Sequence, residues 1–240
     1  MNKRIITATF LMAMSSLAGF AQRQFDNLDR GLIAVKSNGG MYCSWRINAD
    51  EYYATTYDLY RDGVKVNDQP LTVSNFTDPN GTLESQYTVK AVHAGQASAD
   101  SKKGLSLANE WLEVKKPKRI SNDGKTDISN QYEPNDATIG DVDGDGEMEL
   151  ITKQLFIGQD PNNTSQADFA RIEVQKLDGT LLWWIDCGPN MWDFQQNEIN
   201  IMAYDWDGDG KAECVARLQD GSVIHMADGT TYTVGDATKD

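Results

Sequence analysis

The sequence predicts an all-β protein in two units, a β-sandwich followed by repeated units of short strands. Three observations carry that prediction. Short apolar runs alternate with tight turns along most of the 240 residues, as in antiparallel sheets. An acidic, glycine-rich loop, D-x-D-G-D-G, occurs twice, at Asp141 and at Asp205, each time between two short apolar strands. No stretch shows the 3.6-residue periodicity of a strong amphipathic helix.

The chain opens with "MNKRIITATFLMAMSSLAGFAQ". Lys3 and Arg4 precede an apolar run from Ile5 to Phe20, and Gly19 and Ala21 are the small residues before a cut. Residues 1–21 therefore read as a secretory signal peptide cleaved near Ala21, which places the mature protein outside the cytoplasm, secreted or periplasmic. No other segment is apolar enough to span a membrane.

Residues 22–117 form the first unit. "GLIAVKSNGGMYCSWRI" gives two strands about Asn38-Gly39-Gly40, and "TTYDLYRDGVKVN" gives two more about Asp62-Gly63. "SQYTVKAVHAG" alternates Tyr87, Val89 and Ala91 with polar neighbours. Several short strands with regular turns predict a sandwich with Trp45, Tyr57 and Tyr87 inside. The order of Trp45, "YDLYRDG" and "YTVKAV" resembles a fibronectin type III module. "KKPKRISNDGKTDISNQYEPND" is polar and rich in turn residues, and reads as a linker.

The second unit, residues 118–240, holds the repeat. Between the two acidic loops, "RIEVQKLDGTLLWWIDCG" is a hairpin about Asp178-Gly179 with Ile172 and Val174 on one face. "GSVIHMADGTTYTVG" turns at Asp228-Gly229. Repeated units of four short strands look like propeller blades, of which about two fit here. Trp183 and Trp184 are adjacent in a strand and must face opposite sides. Either of them, with Trp192, is an option for stacking on sugars. His93 and His225 lie in strand-like text without an evident partner.

Net charge is −14, and the two loops concentrate much of it. That balance excludes a nucleic-acid partner, which requires clustered Lys and Arg. Within each loop, alternate acids point inward while the glycines allow positive φ. A ring of hard oxygen donors of this size suits Ca²⁺. The ligands are Asp141, Asp143, Asp145 and Glu149 with the Glu147 carbonyl, then Asp205, Asp207, Asp209 and Glu213 with the Lys211 carbonyl. Because the last acid sits at position nine and strands flank the loop, this is not an EF-hand. Two structural Ca²⁺ ions, pinning strand-to-strand turns, are expected. Three cysteines, Cys43, Cys187 and Cys214, cannot all pair with one another, and whether Cys187 bridges to Cys214 stays open.

The segments "LDRGLIAVKSNGGMYCSWRI", "NDATIGDVDGDGEMELITK", "KLDGTLLWWIDCG" and "YDWDGDGKAECVARLQDG" together resemble the N-terminal portion of the rhamnogalacturonan lyases of polysaccharide lyase family 11. The resemblance implies a fibronectin type III-like sandwich followed by the first blades of a calcium-binding β-propeller. It implies β-elimination on the rhamnose–galacturonate backbone of pectin, a pectic polysaccharide as partner, and a base that removes the proton α to the uronate carboxylate. It suggests Lys153 as a catalytic candidate and Asn135, Asp136, Asn197 and Arg217 as substrate contacts, with Asn162, Asn163 and Gln195 as further groove residues. The chain departs from the family pattern at Asn197, where a histidine is expected, and at Arg217, where a lysine is expected. Family members are longer, so a chain ending at Asp240 reads as truncated and by itself inactive. Two other readings stay open: a non-catalytic carbohydrate-binding or adhesion protein with a calcium-loop propeller, and an inactive fragment.

Overall fold

The structure is a computed structural model that describes residues 28–49, 51, 53–158, 168–191 and 200–238. The signal segment, Asn162, Asn163, Trp192, Gln195 and Asn197 lie outside the described residues. The chain is all-β, and no helix of the described residues is long and apolar enough to cross a membrane.

The first unit contains β1 (Ile33–Ser37), β2 (Gly40–Ser44), β3 (Thr55–Arg61), β4 (Val64–Lys65), β5 (Asn75–Asp78), β6 (Tyr87–His93), β7 (Gln96–Ala97) and β8 (Leu105–Leu107). They build two four-stranded sheets, ordered β5-β2-β1-β8 and β4-β3-β6-β7. All pairings are antiparallel except β1 with β8. The expected hairpins form. Asp62 (φ 52°) and Gly63 (φ 80°) both adopt the left-handed region that a two-residue hairpin demands. Gly40 has no alternative: at φ 119° a Cβ would lie 2.1 Å from the Asp78 carbonyl oxygen of the paired strand.

Alternation along the strands turns one face of each sheet inward. Ala34, Met41 and Cys43 from one sheet meet Tyr57, Leu59, Tyr87 and Val89 from the other. Trp45 joins them, edge-on to Tyr57 at 5.6 Å. The Tyr87 hydroxyl, carried into this core, donates to Asp78 Oδ2 at 2.9 Å, which satisfies a polar group that burial would otherwise penalise. Burial raises the Tyr87 hydroxyl pKa, and the bond to Asp78 adds to the shift.

The second unit contains β9 (Tyr132–Gly140), β10 (Glu149–Phe156), β11 (Arg171–Gln175), β12 (Leu181–Asp186), β13 (Ile201–Tyr204), β14 (Glu213–Ala216), β15 (Val223–Met226) and β16 (Thr231–Thr233). Pairing in chain order gives one unit of four strands, β9 to β12, and the later strands are shared differently. β9 to β12 meander into a sheet whose free β12 edge is extended by β15 and β16, while β13 and β14 pair only with each other. The six-stranded sheet gains a continuous ladder from this, and the β13–β14 hairpin packs on its apolar face. Ile151, Ile172, Val174 and Ile185 form that face, and Ile201, Ala203, Cys214 and Ala216 cover it. Trp183 packs in this core; Trp184 faces the other way.

The opposite face of the sheet is polar, and it is covered. The segment read as a linker is, up to Gln131, a strap across it, and its last residues open β9. Arg119 reaches Glu173 through Nε and Nη2, both at 2.6 Å. The Ser121 hydroxyl donates to Asp168 at 2.6 Å and the Asn122 side-chain Nδ2 to Asp186 at 2.6 Å. Gln175 donates to the Lys115 carbonyl at 3.1 Å. Turn composition marked this stretch as irregular, but irregular backbone can be fixed by side chains of distant strands. Cys43 and Cys187 are buried, Cys214 is half-buried, and all three are free thiols.

Candidate metal centre

The first acidic loop joins β9 to β10 and the second joins β13 to β14. Their internal hydrogen bonds are the same. In the first, the Gly144 and Asp145 amides donate to Asp141 Oδ1 (2.8 and 3.1 Å) and the Gly146 amide to Oδ2 (2.8 Å). In the second, the Gly208 and Asp209 amides donate to Asp205 Oδ1 (2.6 and 3.1 Å) and the Gly210 amide to Oδ2 (2.9 Å). The ninth acid closes each loop from its strand: Glu149 accepts from the Val142 amide and Glu213 from the Trp206 amide, both at 2.9 Å. Gly144, Gly146, Gly208 and Gly210 all have φ between 78° and 91°. Only glycine takes that conformation without strain, so the repeated sequence imposes the repeated shape.

Both loops gather donors. One oxygen each from Asp205, Asp207, Asp209 and Glu213 lie within 4.8 Å of one another, as do oxygens of Asp141, Asp143 and Glu149. Carboxylate groups at that separation fit the donor set of a hard divalent cation. Glu149 is 1% exposed. Burial raises its carboxyl pKa, the Val142 amide opposes the shift, and Asp143 and Asp145 add to it. The nearby Lys176 ammonium opposes the shift without cancelling it, and a divalent cation among these acids would favour their charged forms further.

The loops differ in their surroundings. Asp145 is outside the first group of donors. Lys176, from the β11–β12 hairpin, places its ammonium 2.6 Å from Asp143 and 2.8 Å from Asp145. Lys102, from the first unit, lies 3.5 Å from both Asp145 and Glu147 and donates to the Asp145 carbonyl at 2.5 Å. The Asp29 amide donates to the Gly146 carbonyl at 2.8 Å. The first loop is thus also a joint between the units. The Glu147 amide donates to Asp145 and the Lys211 amide to Asp209, at 2.8 and 2.9 Å. The loops touch each other: the Ala212 amide donates to the Asp141 carbonyl at 2.6 Å.

Three residues proposed for catalysis or substrate come together elsewhere. Pairing of β9 with β10 jumps from Thr152↔Ala137 to Gln154↔Pro134. Lys153 therefore opposes both Asn135 and Asp136, a bulge that re-aims side chains. The Lys153 side chain is 0% exposed, with its ammonium 3.4 Å from the Asp136 carboxylate. Arg217, exposed after β14, is not part of this group. The histidines have partners after all. His93 Nδ1 is 2.9 Å from the Thr55 hydroxyl. His225 stacks on Trp184 at 3.8 Å, and the Arg171 guanidinium lies over the Trp184 ring at 3.9 Å. The sequence carried no local signal for Lys102, Lys176 or this stack, because each contact joins residues far apart in the chain.

Residues 23–106 match the family described as Rhamnogalacturonan I lyases beta-sheet domain, and residues 110–240 match Rhamnogalacturonan lyase family 11, C-terminal domain. The chain is 38% identical over 253 residues to rhamnogalacturonan endolyase YesW of Bacillus subtilis (strain 168), covering 100% of this chain and 39% of the relative. It is 39% identical over 229 residues to the exolyase YesX of the same organism, covering 91% and 35%. The crystal structure of YesW superposes with a TM-score of 0.73 at 37% identity, over 92% of this chain and 37% of that one. The Bacillus licheniformis rhamnogalacturonan lyase PL11 gives 0.71 at 33% identity, over 91% and 37%. The chain spans less than two fifths of the length of these structures. With one family match over its first sheets and another over its strap, six-stranded sheet and acidic loops, the chain belongs to rhamnogalacturonan lyase family 11.

Proposed function

We propose that the chain serves cleavage of the rhamnose–galacturonate backbone of pectin by β-elimination, as the sandwich and first blades of an exported lyase. In that reaction a base takes the proton α to the uronate carboxylate. The glycosidic oxygen leaves from the β carbon, and an unsaturated uronate remains. The two successive family matches, along nearly all of the chain, carry the proposal. The first unit is read as fibronectin type III-like and the second as the opening of a calcium-binding propeller; the antiparallel meander of β9 to β12 supports the second reading. Export rests on the segment ending near Ala21.

The acidic loops are assigned a Ca²⁺ ion each. The carboxylates of Asp141, Asp143, Asp145 and Glu149, with the Glu147 carbonyl, hold one. Those of Asp205, Asp207, Asp209 and Glu213, with the Lys211 carbonyl, hold the other. Their role is to stiffen the turns; no step of the elimination runs through them. Asn135 and Asp136 are assigned to substrate, and Lys153 positions Asp136 from beneath.

A second reading is favoured by one observation. Lys153, the catalytic candidate among the described residues, keeps its side chain buried. On that reading the chain binds pectic polysaccharide without cleaving it. Incubating the chain with rhamnogalacturonan tests both: retention on the polymer is expected from either reading, and release of unsaturated uronate absorbance would rule out binding alone. Failure of both would overturn the proposal.

A further inference from the structure

The two acidic loops have one sequence pattern and one hydrogen-bond network, yet only the first has lysines at its outer acids among the described residues. Lys176 Nζ sits between Asp143 and Asp145, within 2.8 Å of each. It is a cation already held by two of the acids assigned to the metal ion. Asp143 is one of the three gathered donors of that loop, so its carboxylate serves both the ammonium and any ion bound there. In the second loop four carboxylates converge, and no ion pair is formed by Asp205, Asp207, Asp209 or Glu213 among the described residues.

We infer that Lys176 is a built-in competitor for the divalent cation at the first loop, so that the two loops bind the ion with unequal affinity, the second more tightly. The inference rests on the calcium reading of the loops. The physical reason is that an arriving ion must draw Asp143 and Asp145 from an ammonium before it gains them. Lys102 ties Asp145 and Glu147 to the first unit. Occupancy of the first loop is therefore linked to the contact between the units.

The test is calorimetric titration of the full chain with CaCl₂. Two separable binding events are expected. Asp207→Asn should abolish the tighter event and Asp143→Asn the weaker one. In the Asp207→Asn background, Lys176→Met should tighten the remaining event by roughly five- to tenfold, the scale of two exposed ion pairs. Lys176→Arg, which keeps the charge, should leave it weak and serves as the reference for correct folding. Lys118→Met removes the same charge from a lysine paired with Asp127 in the strap, and should change nothing. Equal affinities at the two loops, or equal effects of the Lys176→Met and Lys118→Met substitutions, would overturn the inference and leave the calcium reading standing. No binding at all, confirmed by equilibrium dialysis, would overturn both.

Discussion

The Arg119 guanidinium grips the Glu173 carboxylate at two points, Nε to Oε1 and Nη2 to Oε2, each at 2.6 Å, with both side chains no more than 2% exposed. One residue belongs to the strap and the other to the middle of the six-stranded sheet. A pair this deep is held by geometry, because each ion lost its water on entering. Tyr132, whose ring lies 5.5 Å beneath the Arg119 guanidinium, adds a cation–π contact.

Removing one partner leaves the other charged and buried. Arg119→Met is therefore expected to destabilise the chain by about 3–5 kcal/mol. The double substitution Arg119→Met, Glu173→Leu should recover much of that loss, since it removes both charges. Urea unfolding of the four proteins of the cycle measures the coupling. A loss below about 1 kcal/mol for the single variant, the range of exposed pairs, would show that the strap is not fixed by this contact.

Chelation should lower the thermal midpoint. An ion that binds only the folded chain adds about 2.7 kcal/mol at a hundredfold excess over its dissociation constant. Scanning calorimetry with calcium, with EDTA, and with EDTA on the Asp205→Asn, Asp141→Asn double variant gives the comparison. The chelator should shift the parent chain downward and leave the double variant unmoved. An EDTA-insensitive parent would count against structural ions.

Trp206 sits inside the second loop, between Asp205 and Asp207, with its backbone amide on Glu213; the matching position of the first loop is Val142. Terbium bound in the second loop should therefore be excited through the Trp206 indole. Trp206→Phe should remove most of the sensitised emission while calorimetric binding persists. Undiminished emission would mean that the lanthanide sits elsewhere.

His225 supplies a pH dependence. Burial against Trp184 lowers its pKa; Asp186 opposes the shift and Arg171 reinforces it. The unfolded chain then binds a proton at higher pH than the folded chain does. The stability that neutral His225 contributes is complete above the ordinary value of 6.5 and is lost as pH falls through the depressed value. His225→Phe keeps a ring over Trp184 and should flatten this part of the profile, read as denaturation midpoints from pH near 7 down to about 4. A parallel slope in parent and variant would rule out the histidine as its source.

The parts legible in the sequence were those encoded by neighbours. Asp62-Gly63 and Asp178-Gly179 read as turns because positive φ at glycine is a local requirement, and both turns form. The acidic loops read as donor rings because their acids alternate within nine residues, and the network around Asp141 and Asp205 follows from that spacing. Trp45, Tyr57 and Tyr87 read as core from alternation, and they are 5%, 2% and 0% exposed. The polar stretch before Tyr132 read as a linker, since nothing within it announces Glu173, Asp168 or Asp186 as partners.

By itself the sequence determined strands, turns and the shape of each acidic loop, because backbone sterics and side-chain alternation act over a few residues. Only the tertiary structure decided which sheet edge β15 joined, which face the strap covered and which loop received Lys176. Those outcomes depend on groups dozens of positions apart reaching bonding distance, and local pattern holds no record of such distances.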